Sequence, residues 1–289
     1  MINNSEEEVL HMSKPIDTIS VMINGLPGRM ATEVLRLLKT DERFRIVPCG
    51  LTGLEIPETR HDGVDLFHAD NLPRGWWPRL REEHPDLIAV DFTHPSAVNV
   101  NALLYSGFNL SFVMGTTGGD REALAHLFDG GAESCAVIAP NMAKQVVMFQ
   151  AMMKFAADNF PDAFRGYQLE IRESHQKGKA DTSGTARAMV AYFNTLGIPF
   201  KVDQIIMVRD PEAQISMGVP EVALAGHGWH TYTLRSGDGN VLFQFTHNVS
   251  GRSVYAEGTR DAILFLHKAV NEGVKGQVYS MMDVLKGGK

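Results

Sequence analysis

The apolar run Ile19-Ser-Val-Met-Ile-Asn24 breaks on Gly25-Leu-Pro-Gly28-Arg-Met-Ala31 and passes straight into a helical pattern with Met30, Val34, Leu37 and Leu38 on one face. Nothing else in the chain restricts the fold as much. A buried strand that runs directly into a helix cannot return by a hairpin, so its neighbour in the sheet must be reached by a crossover and lie parallel. The same alternation recurs downstream. Phe44 to Pro48, Leu87 to Phe92, Leu110 to Met114 and Ala136 to Ala139 read as short buried strands, with Val64 to His68 as a further one. Between them, helices are expected after Trp76-Trp77-Pro78, from Ser96 to Ser106, and from the cap Asp120 to Phe128. Strands and helices alternating at this spacing predict an α/β domain, a parallel sheet with helices on both faces.

The pattern changes near Asn141. A long helix is expected from Lys144 to Asn159, then Tyr167-Gln-Leu-Glu-Ile-Arg172 alternates strictly. A helix from Thr185 to Leu196 follows. Strands are then expected near Gln204 to Arg209, Trp229 to Arg235 and Val241 to His247, the last two joined by the turn Ser236-Gly-Asp-Gly-Asn240. Strands joined by hairpins after a parallel half predict a second, α+β domain. A final helix is expected over Ala256 to Val270.

Gly25, Gly28 and Ala31 stand in a G-x-x-G-x-x-A pattern between strand and helix, a variant of the Rossmann dinucleotide fingerprint in its expected setting. The first glycine makes the tight turn, the second lets backbone approach a pyrophosphate, and Ala31 allows close helix packing. No acid follows at the usual distance to hold a ribose; the nearest is Glu55. Arg29 beside the turn is either a solvated helix-start arginine or a partner for a 2′-phosphate. That points to NADPH, with NADH possible. Gly115-Thr-Thr-Gly118 ends a strand at its carboxyl end, where open sheets bind ligands; it is either a nicotinamide-pocket wall or a plain turn. Asn141 is a site residue or a helix cap.

Glu173-Ser-His-Gln-Lys-Gly-Lys-Ala-Asp-Thr-Ser-Gly-Thr-Ala186 gathers His175, Lys177, Lys179 and Asp181 ahead of Ser183-Gly184-Thr185, where a helix starts. Free N–H groups of a helix start, with lysines nearby, suit a carboxylate or phosphate. A histidine titrates near neutral pH and can move a proton. The chain carries a formal net charge of -7, so it repels anions as a whole and argues against nucleic acid as a partner. Any anion must be met by local cations.

The remaining features bound the class of protein. Cys49 and Cys135 are far apart in apolar runs and are expected as buried free thiols. No metal is expected: His227 and His230 flank Gly228-Trp229, but the spacing places no third ligand. No apolar run is long enough for a membrane helix. Met1 to Asp17, with Glu6-Glu7-Glu8, resembles neither a secretory signal nor a transit peptide and is expected to be a flexible lead-in, in a cytoplasmic protein.

Seven pieces in order carry a resemblance: Gly25-Leu-Pro-Gly28-Arg-Met, Asp91-Phe-Thr-His-Pro95, Gly115-Thr-Thr-Gly-Gly119, Ala139-Pro-Asn-Met142, Glu173-Ser-His-Gln-Lys-Gly-Lys179, Asp181-Thr-Ser-Gly-Thr-Ala186 and His247-Asn-Val-Ser-Gly-Arg252. The chain resembles the dihydrodipicolinate reductase family of lysine and diaminopimelate biosynthesis, and its plant-like branch in particular, where Gln176 replaces a second histidine. The resemblance implies a Rossmann domain over residues 18–143 and 253–289, with a substrate-binding and oligomerisation domain, 144–252, inserted in it. It implies a homo-oligomer, dimer or tetramer. His175 and Lys179 fall on the catalytic positions. Gln176, Ser183, Gly184 and Thr185 would hold a small cyclic dicarboxylate. Fingerprint and resemblance together set the dinucleotide against Asn24, Gly25, Pro27, Gly28, Arg29, Met30, Phe92, Thr93, Gly115, Thr116, Thr117, Pro140, Asn141 and Met142. Thr246, His247 and Arg252 are supporting candidates. The reaction implied is NAD(P)H-dependent reduction of a cyclic imine diacid, with Lys179 preferred as proton donor. Two other readings stay open: a reductase of a different cyclic imine on the same scaffold, or a nucleotide-binding assembly protein without catalysis.

Overall fold

The computed structural model describes residues 18–287. The expected lead-in, residues 1–17, lies outside them. The first lobe opens with β1 (Ile19–Asn24), α1 (Arg29–Leu38) and β2 (Phe44–Ile46). Then come β3 (Cys49–Thr52), β4 (Arg60–His61) and β5 (Val64–His68), a three-stranded sheet of its own, ordered β3-β5-β4. The segment after the expected strand Phe44 to Pro48 forms β3, which pairs with β5; Gly50 lets it pass the Ile23 carbonyl, where a Cβ would stand only 2.2 Å from the oxygen.

Next are α2 (Trp76–Glu83), β6 (Ile88–Asp91), α3 (Val98–Gly107), β7 (Ser111–Met114), α4 (Arg121–His126) and β8 (Ala136–Ile138). Asp120 caps α4 as expected, its carboxylate accepting the N–H groups of Glu122 and Ala123. All six residues of β1 are buried. Alternate side chains serve opposite faces: Val21 and Ile23 join the cluster that includes Val34, Leu35, Ile263 and Leu266, while Met22 joins Ala102, Tyr105 and Phe112. A strand covered on both faces needs an unbroken apolar run, which is what the sequence supplies. Each of these side chains contributes roughly 1.5–3 kcal/mol by burial.

The second lobe holds α5 (Lys144–Asn159), β9 (Gln168–His175), α6 (Gly184–Thr195), β10 (Ile206–Val208), α7 (Pro211–Ser216), β11 (His227–Arg235) and β12 (Leu242–Ser250). Its sheet runs β10-β9-β11-β12, parallel at β10·β9 and antiparallel at the other two pairings. One face is closed by α5 and α6, whose Met153, Met189 and Phe193 pack on Ile171, Tyr232 and Leu234. The chain then returns to the first lobe as α8 (Ser253–Asn271), β13 (Val278–Tyr279) and α9 (Met281–Leu285). The first sheet reads β13-β8-β7-β6-β1-β2, every pairing parallel. Gly258 lets α8 pack against the Met142 carbonyl, where a Cβ would stand 1.8 Å from the oxygen.

Candidate active site

A cleft of about 550 Å³ opens between the lobes at the carboxyl ends of β1, β6 and β7. Gly28, Arg29, Phe92, Thr93 and Gly115 to Thr117 form one wall; His175, Gln176, Lys179, Gly226 and His227 form the other. Pro140 and Met142 lie at the floor's junction, and Arg252 and Tyr255 enter from the start of α8. Chain segments more than a hundred residues apart thus meet where open parallel sheets bind ligands.

The first wall is built for close backbone approach. At Gly25, φ is +96° and a Cβ would stand 2.2 Å from the Phe92 carbonyl oxygen. A Cβ at Gly28 would stand 2.6 Å from the Gly25 carbonyl oxygen, and one at Gly115 would stand 2.2 Å from the Phe92 ring. Only glycine fits these positions, and α1 begins immediately after, so its unpaired N–H groups face the turn. This cradle fits a dinucleotide pyrophosphate. A larger side volume of about 750 Å³ extends from Gly25 and Gly28 past Thr52, Gly53 and Glu55. It gives the remainder of a nucleotide room.

Sequence reasoning missed what holds this wall together. Asp91, fully buried at the end of β6, accepts hydrogen bonds from the Thr93 N–H and hydroxyl (3.1 and 2.8 Å), the Thr116 hydroxyl (2.7 Å), the Asn101 amide (2.9 Å) and the Tyr105 hydroxyl (2.8 Å). One carboxylate therefore fixes both the Thr93 and the Thr116 loops. Asn24 belongs to the same network: its amide donates to the Tyr105 hydroxyl at 2.9 Å and its oxygen accepts the Leu51 N–H at 2.7 Å. It is fully buried and braces the sheet end, and it does not line the cleft.

On the second wall, His175 ends β9. Its Nδ1 bonds the His227 carbonyl oxygen at 3.0 Å, so that nitrogen carries the proton and Nε2, which has no partner, is an acceptor. Burial, aided by the charges of Arg209 and Lys179 and opposed by Glu173, lowers its pKa to about 4. Lys179 Nζ donates to Asp181 Oδ1 at 2.5 Å, and Lys179 lines the cleft while Lys177 does not. Behind both sits a second unforeseen device. Glu173, fully buried, takes the Arg209 guanidinium at 2.5 Å and the Ser183 N–H at 3.0 Å. Arg209 also donates to the carbonyls of Lys179, Glu173 and Asp181 at 2.9–3.3 Å. A buried charge pair of this kind ties the whole 173–183 loop to β10.

Ser183 caps α6. Its hydroxyl accepts the Ala186 N–H at 3.0 Å and bonds His230 Nε2 at 2.8 Å. The N–H groups of Gly184 and Thr185 have no acceptor among the described residues. Neither residue lines the cleft, and nor does Asn141, whose amide lies 3.4 Å from the Thr185 hydroxyl, although its neighbours Pro140 and Met142 do. Asn141 also caps locally, accepting the Ala143 N–H at 2.9 Å. Pro27 faces a smaller groove beside Arg29, Arg36 and His61. Ligand atoms of Glu173, His175 and His230 lie within 4.8 Å of one another, a grouping that leaves out His227 of the pair considered from sequence. The Arg209 guanidinium on Glu173 opposes a cation there. Thr246 lies at the exposed sheet face, while His247 stacks on His230 at 4.6 Å.

Family models now meet this geometry. Residues 19–142 match the N-terminal model and residues 145–285 the C-terminal model of dihydrodipicolinate reductase. The chain belongs to the dihydrodipicolinate reductase family. It is 44% identical over 289 residues to 4-hydroxy-tetrahydrodipicolinate reductase 1, chloroplastic, of Arabidopsis thaliana, covering 99% of this chain and 83% of that protein. A reductase of the same name from Methanocaldococcus jannaschii is 31% identical over 288 residues, covering 92% and 97%. The fold is shared with a dipicolinate-bound dihydrodipicolinate reductase from Paenisporosarcina sp. TG-14, with a TM-score of 0.63, 20% identity and coverage of 92% and 99%. As a family member the chain is a reductase that uses a nicotinamide dinucleotide, and its Rossmann-type α/β fold agrees with the sequence reading. No helix among the described residues is long and apolar enough to cross a membrane.

Proposed function

We propose that the chain reduces 4-hydroxy-tetrahydrodipicolinate to tetrahydrodipicolinate, with NADPH preferred over NADH. The observation that carries this is the single cleft lined by both the Gly28 turn and the His175–Lys179 loop. The glycine turn and the Thr93 and Thr116 loops would hold the cofactor, and Arg29 would meet the 2′-phosphate of NADPH. Once bound, it supplies the hydride that reduces the imine-conjugated ring. The chain's own residues do the rest. The N–H groups of Gly184 and Thr185 hold one substrate carboxylate at the head of α6, and Gln176 borders the ring. Lys179 delivers the proton that quenches the charge built up on the far atom. His175 is neutral at physiological pH, so it orients through its Nε2 lone pair and does not serve as the acid. The cluster Arg29, Lys179 and Arg252 gives this acidic protein a locally basic cleft for a diacid.

We assign the cofactor domain to residues 18–143 and 253–289 and the substrate domain to 144–252. The return of α8 and β13 to the first sheet supports that division. A homo-oligomer is proposed because β12 is a nine-residue edge strand with Leu242 and Phe243 exposed. The cytoplasm remains the proposed compartment, although the plant relatives are named chloroplastic. The test of function is a steady-state assay following nicotinamide absorbance with freshly generated hydroxy-imine substrate, run with each cofactor. Turnover with a preference for NADPH is the expected result. NADPH binding without turnover would favour the assembly-protein reading.

A further inference from the structure

Tyr255 is the one phenol that reaches the cleft, and none of the roles assigned so far uses it. It sits in the first turn of α8, its ring packed against the core of the first lobe and its hydroxyl toward the second. That hydroxyl has no hydrogen-bond partner among the described residues. It stands across Gly228 from the catalytic histidine: a Cβ at Gly228 would lie 3.0 Å from His175 Cε1 and 3.9 Å from the Tyr255 oxygen. Burial raises its pKa, so it is a protonated donor at any physiological pH. The ring edge that faces Gly228 is Cε1 and Nδ1 of His175, and that Nδ1 is already engaged by the His227 carbonyl, so the histidine does not satisfy the phenol. A half-buried phenol that lines the cleft beside the His175 ring and has no partner of its own is a donor for a bound molecule to use.

We infer that the Tyr255 hydroxyl is a substrate-positioning donor, bonding an oxygen of the bound cyclic diacid next to His175. The inference rests on the reductase reading and adds a contact supplied by the cofactor lobe. Tyr255 lies beside the His175 ring and not at the glycine turn, which favours the substrate over the dinucleotide. Its placement also makes the contact conditional on the lobes meeting, because Tyr255 and His175 come from different lobes.

The probe is pyridine-2,6-dicarboxylate, titrated calorimetrically into the NADPH-loaded wild-type chain and into Tyr255→Phe. Removing a hydrogen bond to a charged acceptor is expected to weaken diacid binding ~10-fold or more. KM for the hydroxy-imine should rise by a similar factor, with kcat, NADPH affinity and Tm close to wild type. Gly228→Ala, which wedges a methyl between the pair, should weaken the diacid in the same direction. Unchanged diacid affinity and KM in Tyr255→Phe would overturn the assignment, as would a loss confined to NADPH, which would give the phenol to the cofactor. A wild-type chain that binds the diacid but turns nothing over would sink the reductase reading, and the titration would still decide the hydroxyl's role. Failure of the wild-type chain to bind the diacid at all overturns both.

Discussion

At the scale of single residues, the proposed mechanism leaves His175 uncharged and gives the proton to Lys179; on that proposal Lys179→Ala should cut kcat by ~10²-fold or more while NADPH affinity stays near wild type. Equal turnover in that variant removes Lys179 from the mechanism. That both residues line the cleft was legible in sequence, because the segment is dense in functional types. Arg209, Glu173 and Asp91 were not. An arginine near a strand end and a glutamate in an alternating strand look like solvated charges until the fold buries them together. Glu173→Gln keeps the shape of that group but discharges it, and Arg209→Ala leaves the carboxylate buried and bare. The arginine variant should therefore lose stability by ~3 kcal/mol or more, the usual cost of stranding one partner of a buried pair. Denaturant unfolding of the two variants side by side checks it. A loss no larger than that of an exposed pair would show the clamp to be ornamental.

At the scale of elements, three strands of the second sheet bring their histidines into one column. His175 on β9 meets His230 on β11 at 5.1 Å, and His230 stacks on His247 of β12 at 4.6 Å. Burial lowers His175 and His247 to about 4 and pushes His230 well down as well. In the unfolded chain these rings protonate near 6.5. Between those values the unfolded state binds more protons than the native one, so native stability falls as pH drops from about 6.5 toward 4. Thermal melts should show Tm declining over that window, and His247→Gln should flatten the decline. An identical slope in the variant would locate the acid sensitivity elsewhere. The column itself could not be foreseen, since it depends on the register that sets His230 opposite His247. The long elements could: β1, α1, α5 and α8 have strong periods and clear breaks. Several of the short ones escaped. α7 has only six residues, yet Asp210-Pro211 does carry the cap-and-proline signature of a helix start. β13 has two residues, below what any pattern can mark, and owes its pairing to β8.

At the scale of the whole molecule, ligand and stability are coupled through the cleft. If NADPH fills it, a concentration of ~100 times Kd should add ~2.7 kcal/mol of apparent stability, read as a rise in Tm that NADH matches only at higher concentration. Arg29→Ser should narrow the gap between the two cofactors. Gly258→Val should lower Tm and weaken both cofactors together, because α8 would be pushed off the Met142 carbonyl. Loss of stability without loss of cofactor affinity would separate the helix from the site.

The first sheet takes an edge strand from β13, and α8 packs against α1, β7 and β8 on one face of that sheet. A ribosome delivers those pieces only after the whole second lobe. Until they emerge, the nucleotide lobe has an open flank and an uncovered apolar face, while the intervening lobe is already complete in sequence. The order of synthesis thus reverses the order of reading: the earliest-made half of the protein is the last to become whole. Nascent chains halted before Ser253 should offer no nucleotide site, however long they wait.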